Sequence, residues 1–140
     1  MSYAMSSALQ SAVYQHLLAD TGVAALVGAA VYDALPGGNV PDVYVSLGPE
    51  TVTDASDKTG YGAQHQFTIS VITENAGFGA AKAVAGAVND ALLDADLTLT
   101  RGRLVALRFE RATARRTGKA GRTRQIDLRF RARVEDTPTP

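Results

Sequence analysis

The last third of the chain carries the clearest alternation of apolar and polar residues. Between residues 123 and 134, apolar side chains occupy every second position, and charged or amide side chains lie between them. Successive side chains of a β-strand point to opposite faces, so this period of two predicts a strand with one face in the core. The apolar set is Ile126, Leu128, Phe130, Ala132 and Val134.

Two segments have the period of an amphipathic helix. Apolar residues recur at spacings of three and four from Met5 to Leu17, which predicts a first helix, capped by Ser6 or Ser7 and ended by Asp20-Thr21-Gly22. Residues 79–94 predict a second helix, and residues 23–27 one short helical turn. The core stripe predicted for the second helix is Ala80, Ala83, Val84, Ala87, Val88, Ala91 and Leu92. Gly86 weakens that helix and predicts close packing there.

Shorter patterns predict further strands. Residues 65–72 alternate strictly, with Phe67, Ile69 and Val71 toward the core. Residues 43–47 predict a short strand that Gly48-Pro49 stops, and residues 97–99 a short extended segment. Residues 104–112 predict a strand, whose core face would hold Val105, Leu107 and Phe109. The polar residues 50–63 and the glycine-bearing residues 113–122 predict loops.

The order of these elements predicts the fold class. Helix, strand, strand, helix and further strands do not form repeated βα units, so a doubly wound parallel sheet is not expected. We predict an α+β domain with a mostly antiparallel sheet of about four to five strands and two helices packed on one face. Residues 1–136 would form this single domain, and residues 137–140 a frayed C-terminal tail.

Composition narrows the classes of protein. The chain has 140 residues, of which 46% are hydrophobic and 20% charged, as in ordinary globular domains. Cysteine is absent, which removes disulfides, thiolate catalysis and cysteine metal sites. No apolar run approaches the roughly 20 residues that a membrane helix needs, and the N-terminal residues lack the pattern of a secretory signal.

The formal net charge of zero conceals a separation of charge along the chain. After position 100, twelve Lys and Arg residues against four acids give +8, whereas in residues 1–100 two bases against ten acids give −8. Such a separation concerns partners rather than fold. Surfaces of opposite sign can meet head to tail between copies, or the basic part can face an anionic partner.

The bases concentrate on the last two predicted strands and the loop between them. Three roles are open for them: solvated charges that protect a sheet edge, salt-sensitive contact with a nucleic-acid backbone, or contact with protein. No aromatic residue interleaves the loop bases, so base stacking is not indicated. The candidate site residues are Arg115, Arg116, Lys119, Arg122, Arg124, Arg129, Arg131 and Arg133. A candidate acidic counter-surface is Asp90, Asp94 and Asp96 near the end of the second helix.

No catalytic constellation is present. The two histidines, His16 and His65, fit surface or strand-end positions, and neither belongs to a metal or nucleophile motif. Gly77-Phe78-Gly79 before a helix lacks the further residues of a phosphate-binding loop. The three aspartates near the second helix could bind a metal, but a solvated acidic face or a contact for a neighbour's arginines explains them better. We therefore expect no enzyme and no cofactor.

Several segments of the chain follow one another in an informative order and spacing. They are Ala12-Val13-Tyr14-Gln15-His16-Leu17-Leu18, Ala25-Leu26-Val27-Gly28, Val31-Tyr32-Asp33, Pro41-Asp42-Val43-Tyr44-Val45-Ser46-Leu47-Gly48, Phe67–Ile72, Ala91-Leu92-Leu93, Leu104-Val105 and Leu128-Arg129-Phe130-Arg131-Ala132. In the order and spacing of these segments together, over nearly the whole length, the chain resembles the tail terminator family, the small tail-completion proteins of long-tailed phages, prophages and gene transfer agents.

The resemblance implies a structural virion assembly protein. Such a subunit would form a homohexameric ring that caps the finished tail tube, stops its polymerisation and joins it to the head–tail connector. The expected partners are further copies of the chain, the tail tube protein, the connector or stopper protein, and DNA passing through the lumen, with no membrane. The expected location is the neck end of a particle tail, after assembly in the bacterial cytoplasm. Two alternatives remain: another neck protein, such as a stopper or head-completion protein, and a small non-specific nucleic-acid-binding module that uses the basic hairpin.

Overall fold

Three α-helices and five strands make up the described part of the fold. The computed structural model describes residues 3–34, 40–56, 60–74, 77–93 and 95–136. The elements are α1 (Ser6–Ala19), α2 (Thr21–Val27), β1 (Val31–Tyr32), β2 (Val43–Asp54), β3 (Tyr61–Thr73), α3 (Gly79–Leu92), β4 (Arg103–Thr117) and β5 (Thr123–Asp136).

The strands form one sheet in the order β1-β2-β3-β5-β4. The short β1 pairs in parallel with β2, and every other pair is antiparallel. The predicted α+β class with a mostly antiparallel sheet is therefore confirmed. The predicted short turn over residues 23–27 is the helix α2, which makes three helices in place of two.

The helices cover one face of the sheet, here called the helix face. The alternation predicted for β5 is confirmed, since all five of its apolar residues from Ile126 to Val134 are buried. Phe67, Ile69 and Val71 of β3 are buried beside them, as predicted. Phe67, Phe130 and Phe109 are in register across β3, β5 and β4, and the Phe130 ring lies 5.7 Å from Phe67 and 5.9 Å from Phe109.

The start of α1 differs from the prediction. No side chain caps this helix, because the hydroxyl of Ser6 reaches the sheet and donates to Glu50 at 2.6 Å. Asp20 ends α1 as predicted, and it also caps α2, because its carboxylate accepts a hydrogen bond from the Val23 amide at 2.9 Å. One aspartate thus separates the two helices.

The predicted core stripe of α3 is partly wrong. The buried residues are Ala81, Val84, Ala85, Val88 and Leu92, whereas Ala80 and Ala83 are exposed. Alanines surround the helix, so small apolar residues do not determine its rotation; the larger Val84, Val88 and Leu92 do. The prediction of close packing at Gly86 is also wrong, because a Cβ added there would meet nothing within 4 Å.

Gly48-Pro49 does not stop β2. The strand continues to Asp54 through a bulge between Leu47 and Glu50, so residues 50–54 and 61–63 are strand and not loop. Beyond Ser46 no strand pairs with the outer side of β2 in the described sheet. Proline is tolerated at such an edge because its missing N–H removes no ladder hydrogen bond.

The β4–β5 hairpin is longer than predicted and its turn is shorter. Strand β4 continues to Thr117, and only residues 118–122 form the turn, with positive φ at Gly118, Ala120 and Gly121. The prediction that Val105 faces the core is wrong: bulges after Leu104 and Phe109 shift the alternation, and Val105 is 42% exposed. Residues 97–99 form no strand, although Leu97 is buried.

Candidate interaction surface

The sheet face opposite the helices, here called the outer face, carries most of the arginines. The row Arg129, Arg131 and Arg133 predicted on β5 lies there, because the apolar residues between them face the helices. Cross-strand register adds Arg108, Arg111 and Arg115 of β4, which pair with outer-face positions of β5. Six arginines and two carboxylates occupy this part of the described outer face, a formal charge of +4, and they are Arg108, Arg111, Arg115, Arg129, Arg131, Arg133, Glu110 and Asp127.

Like charges lie directly opposite each other in this surface. Arg108 pairs with Arg131, and Arg111 pairs with Arg129. Such pairs are unfavourable in an antiparallel ladder. The bulge between Phe109 and Arg111 inserts Glu110 between them, and its carboxylate accepts hydrogen bonds from Nε of Arg131 at 2.6 Å and Nε of Arg129 at 2.9 Å.

The environment of Glu110 keeps it ionised. The hydrogen bond from Arg131 lowers the pKa of the Glu110 carboxyl below its usual value. Gln66 of β3 donates a further hydrogen bond to it at 3.3 Å. Glu110 therefore ties three strands together and offsets part of the arginine charge within the subunit.

Asp127 organises the part of the outer face nearer the turn. Its carboxylate accepts from Ser70 Oγ at 2.7 Å, from Gln125 Nε2 at 2.8 Å and from Arg115 Nε at 3.3 Å. Burial raises the pKa of Asp127, but these hydrogen bonds outweigh burial, and the pKa is lowered. Arg133, at the other end of the row, donates to the Ala55 carbonyl at 3.1 Å.

The remaining candidate bases lie at the turn end of the hairpin. Arg115 and Arg116 lie on β4 and not in a loop, and Arg116 pairs with Arg124 across the strands. Arg124 lies 5.6 Å from the Phe78 ring, at cation–π distance. Lys119 and Arg122 are exposed in the turn. The structure thus divides the eight predicted bases between the outer face and this turn.

The predicted acidic counter-surface lies on the helix side. Asp90 and Asp96 are exposed, and Asp94 lies outside the described residues. Asp96 lines a groove between the end of α3 and β4, together with Leu93, Val105 and Phe109. Within the described ranges, no three histidines or carboxylates come close enough to hold a metal ion.

Both histidines differ from the surface or strand-end positions expected of them. His65 is fully buried, and its Nδ1 donates to Glu50 Oε2 at 3.1 Å. His16 is half-buried and donates from Nε2 to the Ala91 carbonyl at 2.7 Å, which links α1 to the end of α3. Both therefore have structural contacts.

Sequence reasoning missed Glu110, Arg108 and Arg111 as parts of the surface. Their place depends on the bulge after Phe109, and the bulge depends on pairing with β5. One signal was available: Glu110 is the only acid between Arg101 and Arg124. A single carboxylate in a basic strand indicates a counter-charge.

The neutral variant Glu110→Gln tests this counter-charge. We expect its midpoint of urea unfolding to fall at low salt and to approach that of the parent protein at high salt, because salt screens the repulsion between the arginines. Acidification should act in the same direction. The pKa of Glu110 is lowered on folding, so its contribution is present above the ordinary value of about 4.3 and is lost as the pH falls through the folded value.

Glu135→Gln is the matched control, since Glu135 forms one ion pair with Arg103 at the strand end. It should change the midpoint less and with a weaker salt dependence. An equal response of the two variants would contradict the role given to Glu110.

The described part of the chain contains no helix with the length and apolarity needed to cross a membrane. The fold and the outer face together define an α+β protein. Its charged side chains hold its own strands together and present an arginine-rich face.

Comparison with known proteins identifies the family. The sequence model of the tail completion protein gp17 family matches residues 11–135. Among solved structures, the chain is similar to one from the "virion of native gene transfer agent (GTA) particle", with 65% identity, a TM-score of 0.91, and coverage of 96% of this chain and 99% of that chain. No curated protein matches. The chain belongs to the tail completion protein gp17 family, and its role is structural, in tail assembly.

Proposed function

We propose that this protein is a tail terminator, which forms a ring on the finished tail tube, stops its polymerisation and joins it to the head–tail connector. The observation that carries the proposal is the similarity, over nearly the whole of both chains, to a subunit of a gene transfer agent virion.

Capping needs a subunit that binds the last ring of the tube and offers no binding surface for a further ring of tube protein. The two faces of the sheet differ in a way that supports this role, because the helices cover one face and leave the outer face uncovered. Affinity would come from buried apolar contacts, and the charged surfaces would set register and association rate. The protein would act without catalysis and without a cofactor.

The ion pairs of the outer face favour a structural role over a free nucleic-acid-binding module. Two carboxylates already contact Arg115, Arg129 and Arg131 within the subunit. Fewer arginines then remain for phosphates, whereas a nucleic-acid-binding surface gains affinity from each cation free to displace counterions. DNA moving through a ring needs to pass and not to be held.

The experiment is deletion of the gene in cells that produce particles, with electron microscopy of the released tails. We expect tails of irregular length that lack heads, and we expect a plasmid copy to restore uniform, joined tails. Tails of uniform length without heads would identify another neck protein and contradict the terminator proposal. Normal particles would contradict any role in tail completion.

A further inference from the structure

The two edges of the sheet carry opposite charges. The edge strand β4 has five arginines, Arg103, Arg108, Arg111, Arg115 and Arg116, against the single acid Glu110. At the other edge, formed by β1 and β2, residues 31–54 contain four acids, Asp33, Asp42, Glu50 and Asp54, and no Lys or Arg. The charge separation along the sequence is therefore a separation across the sheet.

The acidic edge presents three exposed aspartates. Asp33 follows β1, Asp42 immediately precedes β2, and Asp54 ends β2. A hydrogen bond from Ser56 lowers the pKa of Asp54, and Asp33 accepts a hydrogen bond from Gln10 at 2.6 Å. None of the three forms an ion pair within the part of the chain that the structure describes.

The basic edge has charges that no ion pair within the described residues neutralises. Arg108, Arg111 and Arg116 are exposed and form no ion pair with a described residue. They differ in this from Arg129 and Arg131, which share Glu110. Unpaired arginines along one edge strand, and unpaired aspartates along the opposite edge, are complementary between copies.

Exposed apolar side chains accompany both edges. Beside β4, Phe109 is 47% exposed and Val105 42% exposed, and Leu93 lies in the same groove. Near the acidic edge, Leu26 and Val40 are exposed. Burial of such groups would supply the affinity that screened surface charges do not.

We infer that the β4 edge of one copy docks against the β1–β2 edge of the next copy. The two surfaces are different and lie at opposite edges of the sheet, so the contact is heterologous. Repetition of a heterologous contact closes a ring when the rotation between neighbouring copies is a whole fraction of a full turn. This inference rests on the proposed function, which requires a ring, and adds the surfaces that form it. Bulges in β4 and Pro49 at the edge of β2 disfavour a continuous sheet across the contact, so side chains make it.

Two oppositely reversed variants test the contact. The acidic-β4 variant carries Arg108→Glu, Arg111→Glu and Arg116→Glu, and the basic-β2 variant carries Asp33→Arg, Asp42→Arg and Asp54→Arg. Each alone would bring like charges together at every contact, and we expect each to elute as a monomer on size-exclusion chromatography with light scattering. An equimolar mixture should restore the ring, because alternating copies place opposite charges at every contact.

Circular dichroism of each variant alone checks that it is folded, and rescue in the mixture requires folded partners. A charge reversal at the other acidic surface, Asp90→Lys, is the control and should leave the wild-type ring intact, because Asp90 is exposed and does not line the groove beside β4. Rings formed by either triple variant alone would overturn the inference. So would a mixture that stays monomeric, or rescue of the acidic-β4 variant by the Asp90→Lys variant in place of the basic-β2 variant.

The wild-type protein separates this inference from the proposed function. It is examined alone and with purified tail tubes, by electron microscopy. Absence of a ring in both conditions would contradict the terminator proposal and the inference with it. Wild-type rings that persist after either edge is reversed would contradict the edge contact and leave the terminator proposal standing.

Discussion

Replacement of Phe130 with alanine is expected to lower the free energy of unfolding by about 3–5 kcal/mol. Phe130 is 1% exposed and lies in the middle of the phenylalanine row, between Phe67 and Phe109. Its removal leaves a cavity and takes away two ring contacts at 5.7 and 5.9 Å. Small domains have about 5–15 kcal/mol in total, so the loss would be a large part of the stability. Urea unfolding followed by circular dichroism measures it.

Phe109→Ala is the matched control within the same row. Phe109 is 47% exposed, so truncation removes less buried area and leaves a groove open to water in place of a closed cavity. We expect less than half of the Phe130 loss. Equal losses would mean that the edge strand β4 is as enclosed as β5, contrary to the structure. Phe109 would then not be available as an exposed apolar side chain for the inferred subunit contact.

The alternation of apolar residues was sufficient to predict the central strands and their faces. Ile126 to Val134 and Phe67 to Val71 lie in β5 and β3, which pair with a strand on both sides along nearly their whole length, so that one complete face is buried. There a shift by one residue would expose the whole apolar set, so pattern and structure agree. The edge strands lack this constraint, and the predictions failed there.

Bulges account for most of what the sequence did not show. One bulge lies in β2 between Leu47 and Glu50. Another lies in β4 between Phe109 and Arg111 and contains Glu110. Both bring a carboxylate to partners distant in sequence: Ser6 and His65 for Glu50, and Arg129 and Arg131 for Glu110. A bulge depends on the register with another strand, which local alternation does not encode.

The arginine row was predictable, but its chemistry was not. Alternation alone placed Arg129 and Arg131 on one face; only the register with β4 reveals the like-charged pairs and the acid between them. This changes the role of the row. Arg129 and Arg131 are paired with an acid of their own subunit, whereas Arg108, Arg111 and Arg116 of β4 form no ion pair with a described residue and are exposed where a neighbouring copy can reach them.

Replacement of Glu50 with alanine is expected to cost about 1–3 kcal/mol of stability, because it leaves a buried polar group without its partner. His65 is fully buried, and its Nε2 already has no hydrogen-bond partner among the described residues. Loss of Glu50 would leave Nδ1 unpaired as well. Ser6 and Tyr3 would lose the acceptor that connects the start of α1 to β2. The free energy of unfolding in urea measures the cost.

Glu50→Gln separates hydrogen bonding from simple packing. The amide oxygen can accept from His65 or from Ser6, so we expect this variant to lose less stability than Glu50→Ala. A double-mutant cycle with Ser6→Ala should give a non-zero coupling energy, since the two side chains are 2.6 Å apart. Additive effects, or equal losses for the glutamine and alanine variants, would show that Glu50 contributes through its volume alone. In that case the hydrogen bonds of Glu50 with Ser6 and His65 would not hold α1 to the bulged half of β2. This half of β2 belongs to the edge that we infer receives the neighbouring subunit.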